Sequence, residues 1–581
     1  MRINDVSQIT GLSKKAIRLY ESKGLLTVQR ISNGYRDYTE ADIELLKKIK
    51  LFRLAGVSVS DIKLLNDNVI SIEELLEKRK SEIEKEGGRY SEQYSFCDEI
   101  MSRFRKGGLD CKYALEENEE IIDEKHGTLA VAVDIGTTTI SAAVFDLTYK
   151  NQVEAYCIPN HFKLSGKEPF FDEQDADAIS KKASELLNHI INRYSGITSI
   201  GITGQMHGIV YIDVNGKAVS PLITWQDKRA DQIFSGNETY CDRIKRLTGE
   251  KISTGFGFAT HYYNIICGLV PKAAVSFCSI MDYLVMRLTE RKSPLVHTSV
   301  AASFGMFDIC KYRFMTEKLA YLKMYEDTLP EVTKENALFG MYRGIPVSVA
   351  IGDNQASFLG SVKTPADSIL INIGTGSQIS MMSDYCTVGK TVELRPFIGS
   401  KYLICGSALC GGSAYAMLER FFREYSVSAG GRDTPQYETM NLLASAAYES
   451  AHAPLNVDTA FGGTRADPTR RGAIYGIDEK NFTPANLTLG ILHGIVRELY
   501  DFFVDADIEG KSKIVASGGA VQKNKTMQSI ISDIFEMPVS LSANREEASV
   551  GAALFSALAV GFVKNIEELS EYINYKAEDL T

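Results

Sequence analysis

The chain has 581 residues, of which 44% are hydrophobic and 24% charged, and its net charge is −10. This length exceeds what one hydrophobic core supports, so we expect roughly two to four domains. No apolar signal region opens the sequence and no run of about 18 apolar residues occurs, which argues against a membrane protein and predicts a cytoplasmic location. The 10 cysteines are scattered without a CxxC pair. We therefore expect reduced thiols.

The charge is unevenly distributed along the chain. Residues 1–70 contain 12 Lys/Arg and 8 Asp/Glu, a net charge of +4, so the rest of the chain carries −14. A negative total argues against a nucleic-acid binder overall, but a basic head on an acidic body indicates two parts with different partners.

Residues 2–24 predict two short helices, with Gly11 ending the first and Ser13 capping the second. Ile17 and Leu19 would face inward. The outward face would carry the cations Lys14, Lys15 and Arg18. A helix–turn–helix of this kind fits a DNA major groove, with Arg30 and Arg36 reaching phosphates. The alternative is a helical hairpin whose lysines are merely solvated.

The segments AIRLYESKGLL and NGYRDYTEADIELLKKIKLFRLAGVSVSDIKLL resemble the DNA-binding domain of MerR-type regulators, and the resemblance extends over residues 1–70. The resemblance implies a winged helix–turn–helix that binds double-stranded DNA. It places Arg18 and Tyr20 on the recognition helix, and Arg36 and Tyr38 on the wing. The full candidate DNA-binding set is Lys14, Lys15, Arg18, Tyr20, Arg36 and Tyr38.

Residues 71–112 are predicted to form a dimerisation helix, centred on a heptad repeat between Ser71 and Phe104. The repeat consists of Leu76, Ile83, Tyr90, Cys97 and Phe104, with Tyr94 and Met101 at companion positions. Lys80 and Gly87 weaken its first half. The spacing of Cys97 and Cys111 matches no compact metal-ligand pattern, so metal sensing is not favoured. Residues 113–127, which include the acidic EENEEIIDEK, are predicted to be a linker.

From Gly127 onward strands alternate with helical patterns, which predicts an α/β body. The stretch LAVAVDIGTTTISAAVFD predicts a hairpin whose tip holds Asp134, Gly136, Thr137, Thr138 and Thr139. Amides and hydroxyls at such a tip suit phosphate oxygens, and the carboxylate suits Mg²⁺. The alternative is an ordinary glycine hairpin.

Two polar clusters follow. Gln205, Met206 and His207 come directly after a predicted strand, where open α/β sheets place ligands, although a single histidine is often structural. Trp225 stands beside Asp227 and Arg229. This arrangement is typical of a sugar-binding platform, and equally of an ion pair over an aromatic ring.

Three further stretches carry similar signals. IPVSVAIGDNQASFLGS places Asp353 and Asn354 at the start of a helix, where an acidic residue can also serve as a cap. SILINIGTGSQISMM repeats the hairpin design with a tip at Gly374, Thr375 and Gly376. Two such hairpins predict duplicated halves facing a cleft. KIVASGGAVQKN predicts a strand followed by Gly518 and Gly519, which suits close approach of a nucleoside.

The series DIGTTT, GQMHG, TWQDKRA, GDNQA, NIGTGS, FGGTRADPTRRG and SGGAVQKN resembles the FGGY carbohydrate kinases of the actin-like ATPase superfamily. The resemblance implies two ribonuclease H-like domains, residues 128–361 for sugar and phosphate and residues 362–581 for nucleotide. GQMHG and WQD are similar to xylulokinases and sedoheptulokinases. STGFGFATHYYN and IMDYLVMRL…SVAASFGMFD are most similar to sedoheptulokinases.

The same resemblance implies phosphoryl transfer from ATP to a primary hydroxyl of a ketose, with Asp353 as the general base and Asp134 organising Mg²⁺. Gln205, Met206, His207, Trp225, Asp227 and Asn354 would position the sugar. Gly136, Thr137, Thr138, Thr139, Gly374, Thr375 and Gly376 would bind phosphates, and Gly518, Gly519 and Asn524 would flank the adenosine. The alternative function is a regulator whose kinase-like body only senses sugar or nucleotide.

Overall fold

The computed structural model describes residues 1–10, 12, 14–30, 36–85, 97, 101, 126–387, 389–450, 454–464, 467 and 469–576. The chain divides into two compact units. One consists of Met1–Lys125 with Phe422–Glu438, and the other of His126–Phe421 with Thr439–Thr581. The predicted cap Ser13, Cys111 and the acidic linker up to residue 125 lie outside the described residues.

The predicted head is helical, and its helix–turn–helix is confirmed. Val6, Ile17 and Leu19 are buried among its helices, while Lys14, Lys15 and Arg18 are exposed. The elements are α1 Ile3–Thr10, α2 Lys14–Ser22, β1 Gln29–Arg30, β2 Arg36–Asp37, α3 Glu40–Leu54, α4 Val59–Asn66 and α5 Ile72–Lys85. β1 and β2 pair antiparallel.

Of the predicted dimerisation helix, the structure describes α5 together with Cys97 and Met101, whereas Tyr90, Tyr94 and Phe104 lie outside the described residues. The start of α5 is capped from both sides, because Ser71 Oγ accepts from the Glu74 amide at 3.1 Å and Glu74 Oε2 accepts from the Ser71 amide at 2.7 Å. Leu76 and Ile83, two of the heptad residues, are 0% and 3% exposed within the single chain. These side chains are thus covered without a second chain, and dimerisation remains a prediction.

The first half of the α/β body is built on a seven-stranded sheet. Its strands run in the order β7-β8-β6-β3-β4-β5, with β9 also paired to β6. β3 and β4 form the predicted antiparallel hairpin, and β6 and β8 continue the sheet in parallel. The elements are β3 Leu129–Ile135, β4 Thr139–Asp146, β5 Asn151–Pro159, α6 Ala176–Arg193, β6 Ile197–Gly204, β7 Leu338–Tyr342, β8 Ile345–Ser348, β9 Ile351–Gly352 and α7 Asp353–Ser361.

The second half repeats this plan with six strands in the order β12-β13-β11-β10-β14-β15. Again a hairpin, β10–β11, pairs in parallel with the next strand of the sheet, β14. The elements are β10 Ser368–Ile373, β11 Ser377–Ser383, β12 Glu393–Pro396, β13 Tyr402–Ala408, α8 Gly412–Ser428, α9 Pro484–Ala506, β14 Lys513–Ser517, α10 Gly519–Lys523, α11 Lys525–Phe535, β15 Val539–Leu541 and α12 Glu547–Ala559. The predicted duplication is confirmed.

Helix α12 joins the two halves, because it packs against α7 at backbone distance. A Cβ on Gly551 would lie 1.7 Å from the Ala356 carbonyl oxygen, and one on Gly360 would lie 2.0 Å from that of Glu547. A Cβ on Gly201, in β6, would meet the Ala552 carbonyl oxygen at 2.0 Å. These glycines let a helix of the second half lie directly on the sheet of the first.

Shorter helices complete the body at Tyr240–Thr248, Gly257–Ile266, Ile280–Thr289, Thr298–Ala301, Thr316–Tyr321 and Tyr437–Glu449. Of the helices in the described ranges, none combines the length and apolar character needed to cross a membrane.

One expectation about cysteines is wrong, since Cys310 and Cys386 form a disulfide with their Cα atoms 5.8 Å apart. The sequence could not show this, because 76 residues separate the two and only folding brings them together.

Candidate active site

Asp353 opens helix α7 directly after β9, whose last residue pairs with Gly204 at the end of β6. Its Oδ1 accepts a hydrogen bond from the Asn354 amide at 2.6 Å. Burial raises the pKa of Asp353, and the Arg395 guanidinium and the Asn354 amide act in the opposite direction. The side chain is half-buried rather than packed into the interior. A carboxylate in this position can accept a proton from a ligand.

Asp134 lies near two other carboxylates at the end of β3. Burial first, and then the charges of Asp353 and Glu546, raise the pKa of Asp134 to about 8. Glu546 reaches the hairpin from the residue before α12, where its Oε2 accepts from the Ser141 hydroxyl at 2.6 Å. Ser141 is the residue paired with Asp134 across β3 and β4. Three acidic side chains from separate segments therefore share one small region.

The tip of the first hairpin is held by side chains that surround Thr137. The Trp225 indole Nε1 donates to Thr137 Oγ1 at 3.0 Å, and Thr137 Oγ1 lies 3.5 Å from Gln205 Oε1. Gln174 Nε2 donates to the Thr137 carbonyl at 2.9 Å. Trp225 is nevertheless 42% exposed, so part of its ring is accessible to a ligand beside the tip.

Gly136 and Thr138 are held through their carbonyls, which accept from the Asn160 side chain and backbone, both at 2.8 Å. Thr138 is exposed, and Thr139 begins β4. The tip is therefore rigid in its backbone and open at Thr138, as a phosphate-binding turn requires.

His207 lies where three chain segments meet. Its ring stacks on Phe256 at 4.3 Å between ring centroids, and its Nδ1 lies 2.8 Å from the Ser303 carbonyl, to which it donates. The His207 amide also donates to Ser303 Oγ at 3.1 Å, and the residue has a φ of 72°. Next to it, Met206 is buried with its sulfur against Gly352, directly before Asp353. Gln205, Met206 and His207 thus connect the tip to the base candidate.

Two of the predicted sugar-binding residues have other contacts. Asp227 is fully buried, and both of its carboxylate oxygens bind the Arg229 guanidinium, at 2.8 and 2.9 Å. It also accepts from the amides of Asp172 and Arg229, both at 2.9 Å. Asp227 therefore supports the loop that carries Trp225, and its contact with a sugar stays a prediction.

Asn354 also has partners within the protein. Its Nδ2 donates to Gln378 Oε1 at 3.0 Å and to Ser380 Oγ at 2.9 Å, while its Oδ1 accepts from the Cys405 thiol at 3.0 Å. All three partners belong to strands of the second half. Asn354 thus connects the helix of Asp353 to the second sheet, and its contact with a sugar stays a prediction.

The second hairpin tip is surrounded by backbone. The Gly374 carbonyl accepts from the Gly412 amide at 2.8 Å, and the Thr375 carbonyl accepts from the Gly411 amide at 3.0 Å. A Cβ on Gly412 would lie 2.6 Å from the Gly374 carbonyl oxygen, so no larger residue fits there without a shift. Gly374 and Thr375 are exposed.

Gly518 and Gly519 follow β14 beside this tip. Gly518 has a φ of 91°, and a Cβ there would lie 2.5 Å from the Ile373 carbonyl oxygen, whereas a Cβ on Gly519 would meet nothing within 4 Å. Gly519 therefore borders open space that a ligand can enter. Asn524 is different, because its Oδ1 caps α11 by accepting from the Met527 amide at 2.9 Å and its Nδ2 donates to Asn441. The structure gives Asn524 a capping role.

In the head, the exposed cations Lys14, Lys15 and Arg18 share one face of α2, opposite its buried residues. Arg36 is partly exposed and paired with Glu21 at 2.6 Å. Tyr20 and Tyr38 are only 0% and 2% exposed. Both rings belong to the core of the head, and their contact with DNA stays a prediction.

The body of the chain matches one family along its length. Residues 129–360 match the FGGY family of carbohydrate kinases, N-terminal domain, and residues 369–560 match the C-terminal domain of the same family. The chain belongs to the FGGY family of carbohydrate kinases. Residues 1–68 match the MerR HTH family regulatory proteins. This FGGY kinase therefore carries a MerR-type helix–turn–helix at its N-terminal end.

The relatives of this FGGY kinase differ in the acceptor that their names give. A glycerol kinase from Saccharolobus islandicus (strain M.16.27) is 28% identical over 76% of this chain and 89% of its own. The sedoheptulokinase of Homo sapiens is 24% identical over 73% and 96%. The names of relatives thus establish a carbohydrate kinase without fixing its acceptor.

Solved structures show the same fold. A ligand-bound xylulose kinase from Lactobacillus acidophilus has a TM-score of 0.66 at 19% identity, covering 78% of this chain and 93% of that one. A Plasmodium falciparum glycerol kinase with ADP has a TM-score of 0.63 at 21% identity, covering 78% and 94%. The duplicated actin-like α/β fold expected for the body is confirmed.

Sequence reasoning missed three residues near the FGGY site. Glu546 looks like an ordinary acidic residue at a helix start, Gln174 follows a loop without a motif, and Arg395 lies on an edge strand. Arg395 lies near the carboxylate of Asp353, and its own pKa is raised. No local pattern marks them, because each reaches the site only through contacts between distant segments.

Proposed function

We propose that this FGGY kinase transfers the γ-phosphoryl group of ATP to a primary hydroxyl of a ketose, sedoheptulose or a pentulose such as xylulose. Its head binds double-stranded DNA, and residues 71–112 hold two chains together as a homodimer. The working domain boundaries are 1–70, 71–112, 113–127, 128–361 and 362–581. The proposal for the acceptor rests chiefly on the surroundings of His207.

Three stretches whose sequences resemble those of sedoheptulokinases, the first also those of xylulokinases, meet at this histidine. GQMHG supplies His207 itself, STGFGFATHYYN supplies the stacked Phe256, and SVAASFGMFD supplies Ser303, whose carbonyl accepts from the ring. With Nδ1 donating to that carbonyl, the neutral ring has its acceptor at Nε2. An imidazole and an exposed indole are suited to a polyhydroxylated substrate, whose hydroxyls form hydrogen bonds while its C–H face stacks on the ring.

In the transfer step Asp353 accepts the proton of the sugar hydroxyl as its oxygen forms a bond to the γ-phosphorus. The bond from that phosphorus to the bridging oxygen breaks, and ADP leaves with the electron pair. Gly136, Thr137, Thr138 and Thr139 hold phosphoryl oxygens from one side of the cleft, and Gly374, Thr375 and Gly376 from the other. Gly518 and Gly519 border the adenosine. Closure of the two halves excludes water as a competing acceptor.

The acidic residues near the first hairpin fit Mg²⁺. Among the described residues no group of three or more His, Cys, Asp or Glu could hold a metal on its own. Mg²⁺ usually takes one or two carboxylates together with phosphates and water, and Asp134 with Glu546 provides such a pair. Burial first, and then the charges of Asp353 and Glu546, raise the pKa of Asp134, and a bound cation would offset that negative charge. When bound, Mg²⁺ would neutralise charge on the phosphate oxygens.

The decisive experiment is an ATP-consumption screen over sedoheptulose, xylulose, glycerol and gluconate with the full chain. We expect kcat/KM for one of the ketoses to exceed the value for glycerol by about 100-fold or more, because a longer acceptor can engage both His207 and Trp225. Comparable or higher kcat/KM with glycerol would overturn the assignment of the acceptor. His207→Ala should then lower kcat/KM for the ketose and leave the KM for ATP unchanged.

DNA binding is tested separately with the fragment of DNA upstream of the protein's own coding sequence. Affinity should fall steeply with salt, since cations of the head replace counterions on phosphates. Arg18→Ala should weaken binding and reduce the salt slope by about 1, whereas Lys181→Ala, an exposed cation of the kinase body, should change neither. Salt-independent binding, or none, would remove the proposal for the head.

A further inference from the structure

The disulfide between Cys310 and Cys386 connects the two halves of the kinase. Cys310 lies in the turn between the strands Phe307–Asp308 and Arg313–Phe314 of the first half, and Cys386 follows β11 of the second. The rings of Tyr312 and Tyr402 stack beside it, 6.0 Å apart and nearly parallel, and these residues also come from different halves. The covalent bond thus joins a turn of the first half to a strand end of the second.

On the first-half side, the turn is coupled to the wall of the proposed sugar site. Phe314 packs on Phe258 at 5.4 Å between ring centroids, in the helix that follows Phe256. Ser303, which holds the His207 ring, precedes the same turn by a few residues. A constraint on Cys310 therefore acts on the segment that carries the contacts of His207.

On the second-half side, Cys386 is attached to the phosphate hairpin. β11 runs from Ser377, the residue after the tip glycine Gly376, to Ser383, shortly before Cys386. A paired β-strand transmits displacement along its length, because it is bonded to β10 on one side and β13 on the other. The disulfide consequently connects the acceptor wall to the strand of the second tip.

Both cysteines of the disulfide lie at least partly at the surface. Cys310 is exposed and Cys386 is partly exposed, whereas Cys97, Cys278 and Cys405 are buried. Disulfides that face solvent exchange with thiols more readily than those enclosed in a core. Exposed disulfides are more often labile or regulatory than those that only stabilise a fold.

We propose that Cys310 and Cys386 form a reversible thiol–disulfide switch that restrains closure of the kinase when oxidised. This inference rests on the proposed phosphoryl transfer, since closure matters only if the two halves act on common substrates. In the oxidised state the Cα atoms of the pair are held within disulfide distance, and motions that separate them are blocked. In the reduced state the halves are free to close.

The oxidant is a small-molecule disulfide such as glutathione disulfide. The Cys310 thiolate attacks one of its sulfurs, forming a mixed disulfide and releasing one glutathione thiolate. The Cys386 thiolate then attacks the Cys310 sulfur, which forms the protein disulfide and releases the second glutathione thiolate. The two protons of the protein thiols end on the two glutathione molecules, and excess glutathione reverses both steps.

The test compares full-length wild type, Cys310→Ser and Cys386→Ser in buffers of reduced or oxidised glutathione. Cys267→Ser is the matched control, because Cys267 is also exposed but unpaired by disulfide. We expect oxidation to lower the kcat of wild type and Cys267→Ser about tenfold, reversibly with dithiothreitol, while both other variants keep their full rate. Peptide mass spectrometry should find the Cys310–Cys386 bond only in the oxidised samples.

Two results would overturn the switch: no bond in glutathione disulfide, or a bond with unchanged kcat. ATP-dependent protection from trypsin is the second readout, and it should be smaller for the oxidised wild type than for the reduced. If the reduced enzyme phosphorylates none of the tested acceptors, the proposed function fails by itself. The redox dependence of trypsin protection then still decides whether the bond restrains closure.

Discussion

The two hairpin tips of the kinase share a backbone plan and differ in chemistry. Asp134-Ile135-Gly136-Thr137 in the first half corresponds to Asn372-Ile373-Gly374-Thr375 in the second. In each half the hairpin pairs in parallel with a neighbouring strand, which ends at Gly204 in the first half and directly before Gly518 in the second. A Cβ on either glycine would lie close to the carbonyl of the isoleucine before the tip, at 2.6 and 2.5 Å.

The difference lies in what surrounds each tip. The first carries Asp134, near Asp353 and Glu546, and is held by the side chains of Trp225 and Gln174. The second carries Asn372, whose Nδ2 donates to Ser517 Oγ at 2.9 Å, and is held by glycine backbone. The two turns thus have similar backbones. The carboxylate of Asp134 makes the first suited to a cation, whereas the amide of Asn372 makes the second suited to phosphate alone.

The largest expected effect comes from removing Asp353, the proposed general base beside the first tip. Asp353→Ala should lower kcat by about 10³-fold, because the sugar hydroxyl loses its proton acceptor. Binding of the ketose by calorimetry should change little. Asp327→Ala, an exposed carboxylate elsewhere in the first half, should keep the wild-type rate. A near wild-type kcat for Asp353→Ala would refute the role assigned to it.

The next largest effects are expected from exchanging Asp134 and Asn372, the residues that distinguish the two tips. Asp134→Asn, which gives the first tip the residue of the second, should lower kcat about 100-fold and raise the Mg²⁺ concentration needed for half-maximal rate. Asn372→Asp should instead raise the KM for ATP, since a new negative charge approaches the phosphates. Equal effects of the two variants on the Mg²⁺ dependence would contradict the asymmetry. Initial rates in a Mg²⁺ titration measure both.

The shared backbone plan predicts equal behaviour of the two strand-end glycines. Gly204→Ala and Gly518→Ala should each lower the free energy of unfolding by about 2 kcal/mol, because the added methyl group collides with a carbonyl oxygen. Gly519→Ala has space for its methyl group and should leave that free energy unchanged. Chemical denaturation gives all three values. Tolerance of alanine at one site only would show that the halves are less alike than their strands.

The smallest expected effects distinguish Thr137 of the first tip from Thr375 of the second. Thr137→Val removes the hydroxyl that links Trp225 and Gln205, and should raise the KM for the ketose about tenfold. Thr375→Val retains the backbone bonds of its tip and should raise the KM for ATP while leaving that for the ketose unchanged. Steady-state kinetics with each substrate varied in turn distinguishes them. If each variant raised the KM for both the ketose and ATP, the two tips would not act on different substrates.

Much of this could be predicted from local sequence. Alternating and β-branched runs around Gly136 and Gly374 predicted both hairpins, and the spacing of Lys14, Lys15 and Arg18 against Ile17 and Leu19 predicted the exposed face of α2. These features depend on neighbouring residues, so backbone propensity and amphipathic spacing are sufficient. The order of the motifs also identified the family. The residues Asp134 and Asp353 lie near each other as a kinase cleft requires.

The sequence could not show which polar side chains would form their hydrogen bonds within the protein. Asp227 and Asn354 stand in motifs with good ligand chemistry, yet Arg229, Gln378 and Ser380 occupy their hydrogen-bonding groups. Tyr20 and Tyr38 fill the core of the head. Glu546 reaches the first tip and Cys310 meets Cys386 only across long stretches of chain. Burial and pairing between distant segments depend on packing, which one-dimensional spacing does not contain, and only the tertiary structure decided them.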